Sequence, residues 1–306
     1  MATTNPIVSS LPAYVDQHKL GLVEKTVMEG RTIDNVNVQT GIRGTTAINI
    51  LTTDVKFSDG SVCGFTPDGT QTFTQRDIVT GAVKVNVEYC AKVFRNKYPD
   101  YMLRYGAGKE TLPYEEYLVN SIVKSTQREL DRVIWFGDTE KSGNIQFFDG
   151  YLKIAGADGA IAVDKVAGTG AYETIHDAYM ALPAEVFPNA IAFCSPSILR
   201  KYSDELLEKN LFHFAPESNP NEIMIPNTNI RLIATPGLAP LGSEDEYIVM
   251  GDKNNFYYGC DLQGDEEQFT MDYDKTSDTF KLAIGFNAGV QFAFPDQIVL
   301  AKIAHA

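Results

Sequence analysis

Apolar residues recur at helical spacing most clearly between residues 112 and 137. Tyr114, Tyr117, Leu118, Ile122, Leu130, Val133 and Ile134 form one stripe, which weakens at Ser125 and Thr126. Thr111 can cap this helix and Pro113 suits its first turn. Glu115 and Glu116 complement the positive helix start, and Gly137 is a stop. About 24 residues at 1.5 Å each make a rod of roughly 36 Å.

Alternation replaces helical spacing on either side. Residues 46–95 read as a long β-hairpin. Its first limb runs from Ala47 to about Phe57, and its tip carries Ser58-Asp59-Gly60 and Thr66-Pro67-Asp68-Gly69. The return limb holds Val83, Val85, Val87 and Tyr89 on one face, with Lys84, Asn86 and Glu88 on the other. A two-stranded ribbon is marginal in water, so this one is expected to lie on something, a neighbouring subunit being a natural candidate. Residues 1–45 read as an extended N-terminal arm, with Thr32–Val38 able to pair as an edge strand.

Residues 147–265 read as an α/β region. A helix spans Ala171 to Leu182 and ends at Pro183. A buried strand follows at Ala190–Cys194. Ser195 then caps a second helix with Pro196 at its first position and Ile198, Leu199, Tyr202 and Leu206 on its apolar face. Further strands are Ile230–Ala234, Glu246–Met250 and Phe256–Tyr258. Residues 266–303 return to long strands: Phe280, Leu282, Ile284 and Phe286 alternate, as do Val290, Phe292 and Phe294. Pro295 breaks the run, and Ile298–Ile303 is the last strand.

Composition sharpens this picture. The 306 residues are 44% hydrophobic and 11% aromatic, enough for a folded chain of two sub-domains. A net charge of -14 argues against gripping DNA across a broad face, since neutralising phosphate takes Lys and Arg; it is compatible with enclosing DNA without sequence-specific binding. Cys63, Cys90, Cys194 and Cys260 contain no C-x-x-C pair, and most are expected to be buried free thiols. No uncharged run reaches the roughly 18–20 residues of a membrane span, so no membrane partner is expected. Met1–Val15 lacks the basic start of a signal peptide.

Candidate chemistry is weak throughout. Tyr105–Thr111 looks like a phosphate loop, but Leu103 stands where the first glycine belongs and Glu110 replaces the hydroxyl. Asp272–Asp278 hints at a calcium loop, but Ser277 stands at the glycine position and Ala283 at the bidentate one. His18, His176, His213 and His305 are scattered, and there is no G-x-S-x-G elbow. No catalytic, cofactor-binding or metal-binding residue is therefore expected, and no cofactor. Trp135 reads as a packing anchor between helix and sheet.

The order of parts resembles the major capsid proteins of tailed bacteriophages, whose fold is shared with encapsulin shells and the herpesvirus capsid floor. Glu110–Tyr117 to Ile134–Asp138 resembles the family's spine helix and its exit. Phe148–Leu152 resembles the opening of its axial (A) domain, and Ala181–Pro183 followed by Asn189–Lys201 its helix–strand–helix. Phe280–Gly289 and Pro295–Leu300 resemble its closing strands.

The resemblance implies an α+β fold with an N-terminal arm at 1–45 and an E-loop hairpin at 46–95. A peripheral (P) domain with its spine helix takes 96–146, an A-domain 147–265, and P-domain return strands with a final A-domain strand 266–306. It implies inter-subunit contacts at the E-loop tip, through Asp59, Gly60, Thr66, Pro67, Asp68 and Gly69. Axial-loop contacts would come from Pro216, Asn219, Gly237 and Pro240. It further implies hexamers and pentamers of an icosahedral head around double-stranded DNA, in a virion assembled in the host bacterial cytoplasm. A portal and decoration proteins are implied as partners. Some relatives begin with a cleaved scaffolding segment; this chain reaches the arm at once from Met1, so a separate scaffolding protein is expected. Some relatives also cross-link a loop lysine to a distant asparagine; Lys56, Lys84 and Asn287 are of those types, but nothing in the sequence brings them together. The rival readings are an encapsulin-like compartment, an α/β enzyme with an unrecognised site, and another phage structural component.

Overall fold

The computed structural model describes residues 6–57, 59–61, 63–64, 69–90, 114–209, 221–242, 245–261 and 269–304. The helices are α1 (Pro6–Met28), α2 (Tyr114–Phe136), α3 (Tyr151–Ala157), α4 (Ala171–Met180) and α5 (Pro196–Glu208). The strands are β1 (Asn37–Thr40), β2 (Thr45–Asp54), β3 (Thr70–Val79), β4 (Gly81–Cys90), β5 (Ile161–Lys165), β6 (Ala190–Cys194), β7 (Glu222–Met224), β8 (Arg231–Ala234), β9 (Glu246–Asp252), β10 (Phe256–Cys260), β11 (Phe269–Asp274), β12 (Thr279–Phe292) and β13 (Val299–Ile303).

Two sheets and a separate ribbon result. The first sheet is built around β12, which pairs antiparallel with β4 along Thr279–Ala288, with β11 along Thr279–Ile284 and with β10 along Ala288–Phe292. β1 adds to β10 in parallel. The second sheet runs β5-β13-β9-β6-β8-β7. One face of it packs on α4 and α5, through Ala192, Cys194, Leu232, Ile248 and Ala301 against Ile175, Ile198 and Tyr202. Its other face turns Ile191, Phe193, Ile233 and Val249 into the central core. Covered on both faces, β6 is buried at all five positions, as its unbroken apolar run requires.

Helix starts follow local chemistry. The Ser195 Oγ accepts from the Ile198 N–H at 3.2 Å and caps α5. Gly170 supplies no side chain to cap α4. The Glu205 carboxylate on α5 takes that role, accepting from the Ala171 and Tyr172 N–H groups at 2.8 and 2.7 Å. Trp135, fully buried at the end of α2, joins helix and both sheets. Its ring lies 5.1 Å from Phe193 on β6 and 5.3 Å from Tyr151 on α3, and Tyr151 in turn meets Phe292 on β12 at 4.9 Å. Its indole N–H donates to Thr32 Oγ1 at 2.8 Å.

The structure corrects several sequence expectations. The N-terminal segment is not extended over Pro6–Met28 but helical, and α1 packs on β11 and α2. Val15, Leu22, Val23 and Val27 are its buried apolar residues among those described, a helical spacing that the surrounding Ser, Thr and Pro disguise. The return limb of the hairpin is β3, not Val83–Tyr89. The latter belongs to β4, whose apolar alternation packs half-buried on the central core while β12 holds its backbone; Lys84 therefore lies in the first sheet. β10, expected in the α/β region, pairs with β12 instead. Only Cys194 and Cys260 are buried; Cys63 and Cys90 are exposed.

Candidate assembly surface

The β2–β3 ribbon pairs in register from Thr45↔Val79 to Asp54↔Thr70. Ten residues per strand give a ribbon of about 33 Å. Among the described residues, its buried side chains lie in the half nearest the body. There Ile48, Ile50 and Ile78 turn to one side and form a small core with Ile42 and Ala293, separate from the two larger clusters. The opposite side carries Leu51 and Phe73, directly paired across the strands. They are 52% and 75% exposed, and beyond the strand Val55 and Phe57 are 68% and 98% exposed. Large apolar side chains on an uncovered two-stranded ribbon are unfavourable in an isolated chain.

The root is fixed by polar contacts and by close backbone approach, since a Cβ on Gly289 of β12 would meet the Val79 carbonyl at 2.3 Å. Thr80 Oγ1 donates to the Gly44 carbonyl at 2.8 Å and accepts from the Gly44 N–H at 3.1 Å. Gly44 has φ +90°, a conformation that favours glycine. Arg76 on β3 pairs with Asp158 at the end of α3 and donates to Gln291 Oε1 at 3.2 Å. Gln291 Nε2 then donates to the Asp77 carbonyl at 3.0 Å.

Of the predicted tip residues, Asp59, Gly60 and Gly69 are described, whereas Thr66, Pro67 and Asp68 lie outside the described residues. Asp59 accepts from both the hydroxyl and the N–H of Ser61, and those bonds hold its carboxyl below the usual range. Of the predicted axial-loop residues, Pro216 and Asn219 lie outside the described residues. Gly237 does not project: it is buried against α2, where its N–H donates to Asp131 Oδ2 at 2.6 Å and an added Cβ would meet the Asp131 carbonyl at 2.3 Å. The backbone just after it is tied down as well, since Arg132 donates to the Ala239 carbonyl at 3.0 Å; Pro240 is half-buried. Sequence reasoning missed Leu51, Phe73 and Arg76. Leu51 and Phe73 stand amid Thr, Asn and Gln, and only their exposure singles them out.

Among the described residues no group of three or more His, Cys, Asp or Glu side chains could hold a metal ion. The Asp272–Asp278 segment ends β11 and turns into β12, with Asp274 held by Lys281 at 2.7 Å and by the Thr276 N–H at 2.8 Å. The phosphate-loop lookalike Tyr105–Thr111 lies outside the described residues. A groove of about 470 Å³ between β4 and α2 is lined by Val83, Val85, Val87, Ile122, Leu130 and Phe147; no His or Cys joins its Ser121 and Ser125 among the described lining residues.

No protein-family model matches the chain, and no curated protein matches it. Solved structures do. The structure of Gordonia phage Cozz superposes with a TM-score of 0.59 at 12% identity, covering 92% of this chain and 88% of that one. The capsid of Myoviridae phage XM1 gives 0.54 at 11% identity, over 88% and 89%. The holo-SrpI encapsulin complex from Synechococcus elongatus gives 0.56 at 11% identity, over 90% and 88%. The chain thus has the α+β fold common to phage capsids and encapsulin shells.

Proposed function

We propose that this chain is the structural subunit of a closed protein shell, the major capsid protein of a tailed-phage head that encloses double-stranded DNA. The observation that carries the reading is a shell-protein fold matched along about nine-tenths of both chains, with a ribbon that leaves Leu51 and Phe73 uncovered on a single copy. In this reading β2–β3 is the E-loop, and its outer face lies on a neighbouring copy. The first sheet with α1 and α2 is the P-domain, and the second sheet with α4 and α5 is the A-domain. Asp59, Gly60 and Thr66–Gly69, between the two strands of the ribbon, are proposed inter-subunit contacts, as are Pro216, Asn219 and Pro240; Gly237 is instead an internal contact with Asp131. The physics is that of symmetric assembly: each copy offers one ribbon and receives one, so a modest contact repeats around every closed ring.

The acidic chain, at -14, suits a container that does not adhere to its contents. Hexamers and pentamers of this subunit, a separate scaffolding protein, a portal and decoration proteins are the proposed partners, in a virion assembled in the bacterial cytoplasm. No catalytic role is proposed. An encapsulin-like compartment is the second reading, favoured by the match to the SrpI shell. Co-expression with neighbouring genes followed by nucleic-acid analysis of purified particles tests the choice: protected genome-length DNA supports the phage head, and packaged protein without DNA supports the compartment.

A further inference from the structure

Beyond the close approach of the Val79–Thr80 backbone to Gly289, few side chains hold the hairpin's direction. Its body-facing side carries Ile48, Ile50, Arg76 and Ile78, since Ile48 pairs with Arg76 and Ile50 with Thr74. The isoleucines form a compact apolar pivot that tolerates rotation, because apolar contacts have no preferred direction. Arg76 supplies the directional contacts. Through Nη2 alone it meets Asp158 on the body and Gln291 on β12, while its Nε is buried with no acceptor. Gln291 completes the clasp by holding the Asp77 carbonyl. The chain enters and leaves the ribbon at Gly44 and Thr80, which bond to each other, so both strands can move as one paired unit.

We infer that the Arg76–Asp158–Gln291 clasp sets the angle at which the β2–β3 hairpin leaves the body, and that opening it lets the intact hairpin swing about its isoleucine pivot. Arg76 is thus a positioning residue for Leu51 and Phe73. The consequence for a second copy rests on the shell reading above: the angle sets where the apolar pair lands, and so the spacing between copies.

The test reads the angle itself. Spin labels are placed at T72C on the ribbon and R200C on α5, in a C63S/C90S background, and the labelled chain is diluted with excess unlabelled chain so that only intramolecular distances are measured. The parent should give one narrow distance distribution. R76D and D158R should each broaden or displace it, and the charge-swapped double variant should restore it. The milder Q291A should broaden it without the risk of misfolding. The inference is overturned if R76D and Q291A, both folded by circular dichroism, keep the parent distribution, or if the swapped pair stays as broad as the single variants. Because the distance is read within one chain, a protein that never forms shells would sink the shell reading and leave this result standing.

Discussion

Replacing Leu51 and Phe73 together by threonine separates folding from assembly. Full burial of a Leu or Phe side chain contributes about 1.5–3 kcal/mol. With roughly half of Leu51 and three-quarters of Phe73 uncovered in the single copy, covering them contributes about 1–2 kcal/mol each, or about 2–4 kcal/mol for one hairpin seat. In the proposed shell each subunit gives one hairpin and receives one. The protein concentration at which shells first form should therefore rise roughly 30- to 700-fold, at tenfold per 1.4 kcal/mol. The folded subunit should lose far less. The Leu51–Phe73 cross-strand pair is worth about 0.2–1 kcal/mol, and threonine favours strands. Sedimentation across a concentration series gives the assembly threshold, and urea unfolding of the unassembled chain gives the stability. An unchanged threshold would refute the claim that this pair is an inter-subunit contact. A threshold shift matched by an equal loss of subunit stability would refute the separation.

Deleting Asp59–Gly69 should block assembly while the remaining chain unfolds cooperatively near the parent midpoint; normal particles would remove the ribbon's end from the contact. W135A should cost about 3–5 kcal/mol, because it empties the joint between α2 and both sheets and removes the indole hydrogen bond to Thr32; a loss below about 1 kcal/mol in urea unfolding would contradict that role. G81A should also destabilise, since its Cβ would fall 1.9 Å from the Phe147 carbonyl; a midpoint equal to the parent's would show that the β4 entry yields freely. Burial raises the Asp131 carboxyl above its ordinary value, against the hydrogen bonds of Thr32 and Gly237 and the charge of Arg31. Its protonation therefore contributes stability that is complete below the unfolded pKa of about 4 and is lost as pH rises through the folded value. Relative to D131N, the parent should weaken as pH climbs above about 4, and a pH-independent difference in urea melts would reject this sign.

Where side chains face a shared core, the sequence was informative. The α2 stripe, the Ser195 cap, the buried β6 run and the long alternation of β12 each carry a local signal that burial later uses. The hairpin root was legible only in part. Val83, Val85, Val87 and Tyr89 advertise a half-buried strand, and the sequence offers no sign that β12 rather than β2 holds its backbone. The true return limb, β3, is mostly polar because it leaves the core, so its only apolar marks are Phe73, Ile78 and Val79. In the N-terminal segment the helical spacing of Val15, Leu22, Val23 and Val27 was hidden by helix-poor neighbours; packing on α2 and β11 overrides their propensity. Gly237 shows the converse error, since turn-forming residues suggest an exposed loop while the Asp131 carboxylate draws this one inward. The Arg76 clasp joins residues 82 and 215 positions apart, and no local pattern announces such a pair.

The central claim is that many copies of this chain close into a shell. Electron microscopy of the purified protein, expressed alone and with its neighbouring genes, tests it most directly. The account predicts icosahedral particles, or hexamers and pentamers, in at least one of the two preparations. Small uniform oligomers in both would contradict it.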